Sequence, residues 1–181
     1  MPTNPANNPE KPEYQDLHHL FPVVFENVNE TRSNYPLGEV VEIVSSYKDC
    51  NFGYNYEGEL VFEPRDEHKG DAARAIFYIC TAYQSNSDNW SLKPIISSSI
   101  PYGQDQDVLK KWNLIDLPSN WEIARNDYIA SIQGNRNPFI DHPEYACDID
   151  FYTMDYMDGL NCSKLTVGSL ENSPDVKIIP N

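Results

Sequence analysis

Basic residues are scarce in this chain. Thirteen lysines and arginines face 28 aspartates and glutamates across 181 residues, a formal charge of -15. Such a surface repels a polyanion like DNA unless a local basic patch or a bound cation compensates, because backbone phosphates dominate nucleic-acid affinity. Composition alone therefore argues against a nucleic-acid partner and fits a protein kept soluble in salt, where charges beyond about 10 Å are screened. C-x-x-C spacing is missing too, so Cys50, Cys80, Cys147 and Cys162 make a poor zinc ribbon and leave three disulfide connectivities open. No apolar run is long enough to span a membrane, and the Pro- and Asn-rich opening residues hold no signal-peptide core. Either the protein is cytoplasmic or its true start lies upstream. The 40% hydrophobic content that is present suffices for one core and one domain.

Four prolines within residues 2–12 predict an extended arm over residues 1–15. Asp16 is placed to cap a short helix reaching Phe21, which Pro22 interrupts, and a second helical piece runs to Ser33-Asn34. Tyr35-Pro36-Leu37-Gly38 reads as a turn. Val40, Val41, Ile43 and Val44 suggest one strand and residues 59–63 another, with a Gly/Asn/Tyr stretch between them, so an antiparallel pair is expected. After Gly70-Asp71 the recurrence of Ala73, Ile76, Phe77, Cys80 and Tyr83 at three- and four-residue spacing predicts a helix with a core face. A further amphipathic piece covers residues 104–113, with Val108, Leu109 and Trp112 inward. Ser119 and Glu122 have the S-x-x-E form of a capping box, and the helix they open should carry Ile129 and Ile132 into the core before ending at Gln133-Gly134. The predicted class is α+β, mixed helices with a small antiparallel sheet.

Chemistry concentrates near the start. Between Asp16 and Asn34 lie His18 and His19, the amides of Asn27, Asn29 and Asn34, and the Arg32 guanidinium. Imidazole is the commonest transition-metal ligand and Arg forks onto phosphate oxygens, so this is a set of groups suited to metal and phosphate. The plain alternative is a pair of ordinary helix-start histidines, with Arg32 pairing at the surface with Glu30 or Glu39. Asp71 and Arg74 read as an N-cap and a structural ion pair, Asn135 and Asn137 as turn residues, and His142 as a surface residue.

Six ordered blocks then carry a resemblance. They are Asp16-Leu17-His18-His19-Leu20-Phe21-Pro22, Val28-Asn29, Arg32-Ser33-Asn34, Gly38-Glu39-Val40, Gly70-Asp71-Ala72-Ala73-Arg74 with Phe77-Tyr78, and Arg125-Asn126 with Gln133-Gly134-Asn135-Arg136-Asn137-Pro138-Phe139. Together they resemble the endonuclease I family of secreted and periplasmic bacterial nucleases, in particular its extracellular Bacteroidetes members. The resemblance implies a ββα-metal (His-Me finger) core, incomplete here at its N-terminal side. It also implies a secreted, monomeric enzyme, with no membrane, that hydrolyses DNA, and RNA as a second substrate. The implied cofactor is a divalent cation, Mg2+ foremost, with Mn2+ or Ca2+ as alternatives. His19 takes the metal-ligand position, His18 and Arg32 the catalytic ones, and Asn29, Asn34, Arg125 and Arg136 the substrate contacts.

One element of that family pattern is missing. The family's general base is a histidine in a Glu-His motif ahead of the metal-ligand helix, and the only such dipeptide here, Glu67-His68, lies after it in a charged run. The opening Met1-Pro2-Thr3-Asn4-Pro5 is similar to the stretch downstream of that motif, and residues 176–181 are similar to the first strand of C-terminal sorting domains. The expectation is a fragment, with an arm at 1–15, a nuclease-like domain at 16–143, an acidic aromatic extension at 144–162, and a linker with a truncated sorting domain at 163–181. Such a chain should be weakly active or inactive, and an inactive secreted binding module on the same scaffold is the competing reading.

Overall fold

The computed structural model describes residues 15–18, 26–33, 35–84, 103–158 and 162. The expected arm, His19, the Pro22 break, Asn34 and the strand at 176–179 lie outside the described residues. Within them the order is helix α1 (Glu26–Arg32), strands β1 (Glu42–Tyr47), β2 (Cys50–Tyr54) and β3 (Leu60–Glu63), then helices α2 (Lys69–Ala82), α3 (Gln106–Ile115), α4 (Asn120–Gln133) and α5 (Pro138–Asp141). A two-stranded ladder of β4 (Ile149–Asp150) and β5 (Asp155–Tyr156) follows. The α+β class is as the sequence predicts.

The sheet has three strands, not two, in the antiparallel order β1-β2-β3. β2 hides in the stretch that composition marks as a loop. Lys48 and Asp49 both adopt positive φ, the geometry of a tight two-residue hairpin turn, so β1 returns directly as β2. Gly53 sits within β2 because the chain passes very close there: a Cβ would lie 2.0 Å from the Glu42 carbonyl oxygen, beside the register break between Ile43 and Ser45. The predicted turn at residues 35–38 is extended instead. Leu37 bridges Phe62 in parallel, and its amide donates to Gln104 Oε1 at 2.8 Å.

Helix α2 forms as its periodicity predicts, and its buried face meets α3 through Phe77, Leu109 and Trp112. Phe77 stacks on Phe151 with centroids 4.2 Å apart and meets Phe139 at a 59° tilt with centroids 5.6 Å apart. Phe151 is fully buried and Cys147 is disulfide-bonded to Cys162, while Cys50 and Cys80 are free. The boundary expected at residue 143 is therefore not a packing boundary, since residues just beyond it complete the core.

Helix α4 begins as expected, with Ser119 Oγ accepting from the Glu122 amide, and ends on Gly134 at φ 80°. Its inner face is not as expected. Ile129 is buried, but Ile132 is 57% exposed, and Glu122 and Asn126 fill the remaining inward positions. The Glu122 carboxylate leaves the capping box half-made and pairs with Arg74 through 2.8 and 2.6 Å bonds. Arg74 also holds Asp71, as the sequence suggests, but the N-cap of α2 is His68 and not Asp71. A remote carboxylate serves that helix end: the Gly70 amide donates to Asp116 Oδ2 at 2.8 Å.

Candidate active site

Residues 15–18 form a turn, and the rest of the helix expected to reach Phe21 lies outside the described residues. The Asp16 side chain does act locally, accepting from the His18 amide at 2.9 Å, but most of its partners are distant in sequence. From α2 and the residue after it come the Tyr78 hydroxyl at 2.5 Å and the Tyr83 hydroxyl at 2.7 Å. From α4 comes Gln133 Nε2 at 2.9 Å. Burial pushes the Asp16 carboxyl up, yet these donors outweigh it and hold the group below its usual range. Asp16 is thus a buried carboxylate serving as the node that ties the turn to two helices.

The tie is reinforced around that node. Gln133 Oε1 accepts from the Leu17 amide at 3.1 Å, and Arg125 donates to the Leu17 carbonyl at 2.6 Å. Asn135, just past the end of α4, donates to the Tyr78 hydroxyl at 2.6 Å and accepts from Gln133. Its backbone carbonyl lies 3.1 Å from His18 Nε2, which must donate there because a carbonyl can only accept. His18 is then the Nε2-protonated tautomer, 1% exposed, with its buried Nδ1 lacking a partner and its ring 4.9 Å from Tyr78. Burial lowers its pKa, so the ring is neutral near pH 7.

Of the residues expected to form the site, the structure joins His18 and Arg125 in this cluster. Arg32 and Asn29 lie on α1. The Arg32 guanidinium is largely buried, which lowers its pKa, and it has no carboxylate partner among the described residues. Its expected surface partner Glu39 is bound by Lys111 at 2.7 Å. Asn29 Oδ1 is likewise buried without a partner. Arg136 stands apart as a surface ion pair, held by Asp141 at 2.7 Å and Asp127 at 2.6 Å. Arg125 spends a donor on the Leu17 backbone and is half-buried.

The other described histidines, His68 and His142, are engaged as well. His68 lies between Arg65 at 2.6 Å and Asp71 at 3.3 Å, and His142 lies against Glu144 at 3.1 Å, stacked on Tyr145. No group of three or more His, Cys, Asp or Glu side chains able to hold a metal occurs among the described residues. The Asp16 oxygens are already filled by donors, so the described residues do not fit a metal cage on their own. Residue-by-residue chemistry overlooked Tyr78, Tyr83, Gln133 and Asn135, whose types suggest core and turn roles. The one sequence signal for three of them is that Tyr78, Gln133 and Asn135 fall inside the blocks of the family resemblance.

Comparison with known proteins gives the same direction. The family model described as Endonuclease I matches residues 1–144. The chain is 39% identical over 138 residues to the extracellular ribonuclease of Bacillus amyloliquefaciens, which covers 74% of this chain and 46% of that protein. It is 30% identical over 125 residues to endonuclease-1 of Buchnera aphidicola subsp. Acyrthosiphon pisum (69% and 44%). It is 29% identical over 126 residues to an extracellular deoxyribonuclease of Aeromonas hydrophila (70% and 49%). The chain spans less than half the length of these curated relatives.

Proposed function

The chain belongs to the endonuclease I family, and from that premise we propose that it is the metal-and-phosphate half of a secreted, divalent-metal-dependent endonuclease that hydrolyses phosphodiester bonds of DNA and RNA. The observation that carries this reading is the convergence of α2 and α4 on Asp16, which fixes the turn immediately ahead of His19. A metal ligand needs such a rigid seat, since groups misplaced by even 1 Å lose much of their effect. His19 is the proposed ligand for Mg2+, with Mn2+ or Ca2+ as alternatives, and Asn34 a proposed substrate contact. Arg32, a half-buried cation with no carboxylate partner among the described residues, supports a phosphate contact on a chain whose overall charge opposes one. The Cys147–Cys162 disulfide supports an oxidising compartment and hence secretion.

A general base is not found among the described histidines. His18 is locked and buried, and His68 and His142 are held by neighbouring charged side chains. The reading therefore includes little or no cleavage by this chain alone, and the same observation favours a second reading, a binding module on the nuclease scaffold. Plasmid nicking with Mg2+ or Mn2+ separates the two once an upstream Glu-His strand is joined to the chain: cleavage appears in the first case and not in the second. On this chain alone, Mn2+ should raise the thermal midpoint, and His19→Ala should remove that rise. Undiminished Mn2+ stabilisation in His19→Ala would take His19 out of the site. Arg32→Ala should weaken DNA binding and reduce its salt slope by about 1, while Arg136→Ala leaves both unchanged.

A further inference from the structure

Helix α4 carries an aromatic stripe on its outer side that the core does not use. Trp121 is 56% exposed, Tyr128 68% and Ile132 57%, far more than large apolar groups need to be on a helix with a buried inner face. At about 100° per residue the three fall within roughly 60° of Arg125 and on one side of it, with Trp121 and Tyr128 about 10 Å apart along the axis. Arg125 is the side chain that grips the Leu17 carbonyl at 2.6 Å, and Gln133 from the same helix holds Asp16. The stripe therefore borders the candidate active-site turn.

Charge opposes a polyanion less on this face than the chain's total suggests. Across residues 117–136 the acids Glu122 and Asp127 are matched by Arg125 and Arg136, so the stretch is formally neutral in a chain of -15. Glu122 is moreover turned inward onto Arg74. We infer that Trp121 and Tyr128, backed by Ile132, form a stacking platform for unpaired bases of a nucleic-acid strand led past the Asp16–His18 turn. Every base has a π face, so aromatic stacking suits a sequence-tolerant binder, and a duplex cannot use it without unstacking. The inference rests on the endonuclease reading and sharpens it, by making single-stranded or locally opened nucleic acid the preferred substrate class.

The test is binding in EDTA, so that no cleavage is required. A labelled 12-mer of oligothymidylate and a blunt 12-base-pair duplex are titrated with the chain, and anisotropy is followed. The single strand should bind more tightly than the duplex. Trp121→Ala and Tyr128→Ala should each weaken single-strand binding about tenfold, and leave duplex binding within about twofold. Trp121→Phe should keep most of the affinity. Both side chains are more than half exposed and lie outside the buried core cluster, so their removal leaves that cluster in place. Equal losses on both ligands, no loss on the single strand, or a dimer in sedimentation that Trp121→Ala dissociates would each overturn the platform. If duplex binding and Mn2+ stabilisation persist while the aromatic variants change nothing, the platform alone falls. If neither nucleic acid binds, the endonuclease reading falls with it.

Discussion

The Asp16 carboxylate accepts a 2.5 Å hydrogen bond from the Tyr78 hydroxyl, 62 residues further along the chain. That bond joins the turn carrying His18 to the central helix α2, and the partners Tyr83 and Gln133 make the junction three-sided. Desolvating a carboxylate is costly, and the cost is met here by the buried Tyr78 hydroxyl together with the half-buried donors of Tyr83 and Gln133.

Asp16→Ala should accordingly lower unfolding free energy by about 2 kcal/mol, since it strands the buried Tyr78 hydroxyl and frees the half-buried Tyr83 and Gln133 donors. Urea denaturation followed by circular dichroism measures this. Asp16→Asn should cost less, because one acceptor oxygen remains, although its amide faces hydroxyls that now have to accept. A loss under about 0.5 kcal/mol for the alanine variant would mean the node is solvated and not structural.

Arg74 and Glu122 form a bidentate pair in which the guanidinium is fully buried. Removing one partner leaves the other charge uncompensated, so Arg74→Met should cost about 3–5 kcal/mol, whereas Arg74→Met with Glu122→Leu should recover most of it. A double-mutant cycle by chemical denaturation measures the coupling. Additive losses would show that the two side chains do not depend on each other.

The pH dependence follows from His18. Burial lowers its pKa, so below about 6.5 the unfolded chain takes up a proton that the folded chain refuses. The associated stability is complete above that value and is lost as pH falls beneath it. Burial also pushes Glu122 up to about 7 against the pull of Arg74, so stability linked to that group is present at low pH and lost as pH rises from about 4.5 through 7. Because the two oppose each other, the informative comparison is His18→Gln against the unchanged chain, in which the Glu122 contribution cancels. Between pH 7 and 5 the variant should lose less stability, and parallel slopes would exclude His18 as the titrating group.

The family resemblance, the helices and the class of fold were legible in the chain itself, because each depends on local order. The spacing of Ala73, Phe77 and Cys80 writes a helix face, Ser119 and Gly134 bracket α4, and the matched blocks keep their order whatever the packing. Net charge by itself averages over local differences, such as the half-buried Arg32 and the formally neutral residues 117–136. Three features needed the tertiary structure. β2 exists because β1 folds back onto it through Lys48 and Asp49, residues whose types do not announce positive φ. α4 buries Glu122 and Asn126 in place of Ile132, because Arg74 and Asn137 wait across the interface with complementary hydrogen-bonding groups. Asp16 looks like a helix cap from its neighbours in sequence, and only the approach of Tyr78, Tyr83 and Gln133 makes it the buried anchor of the candidate site.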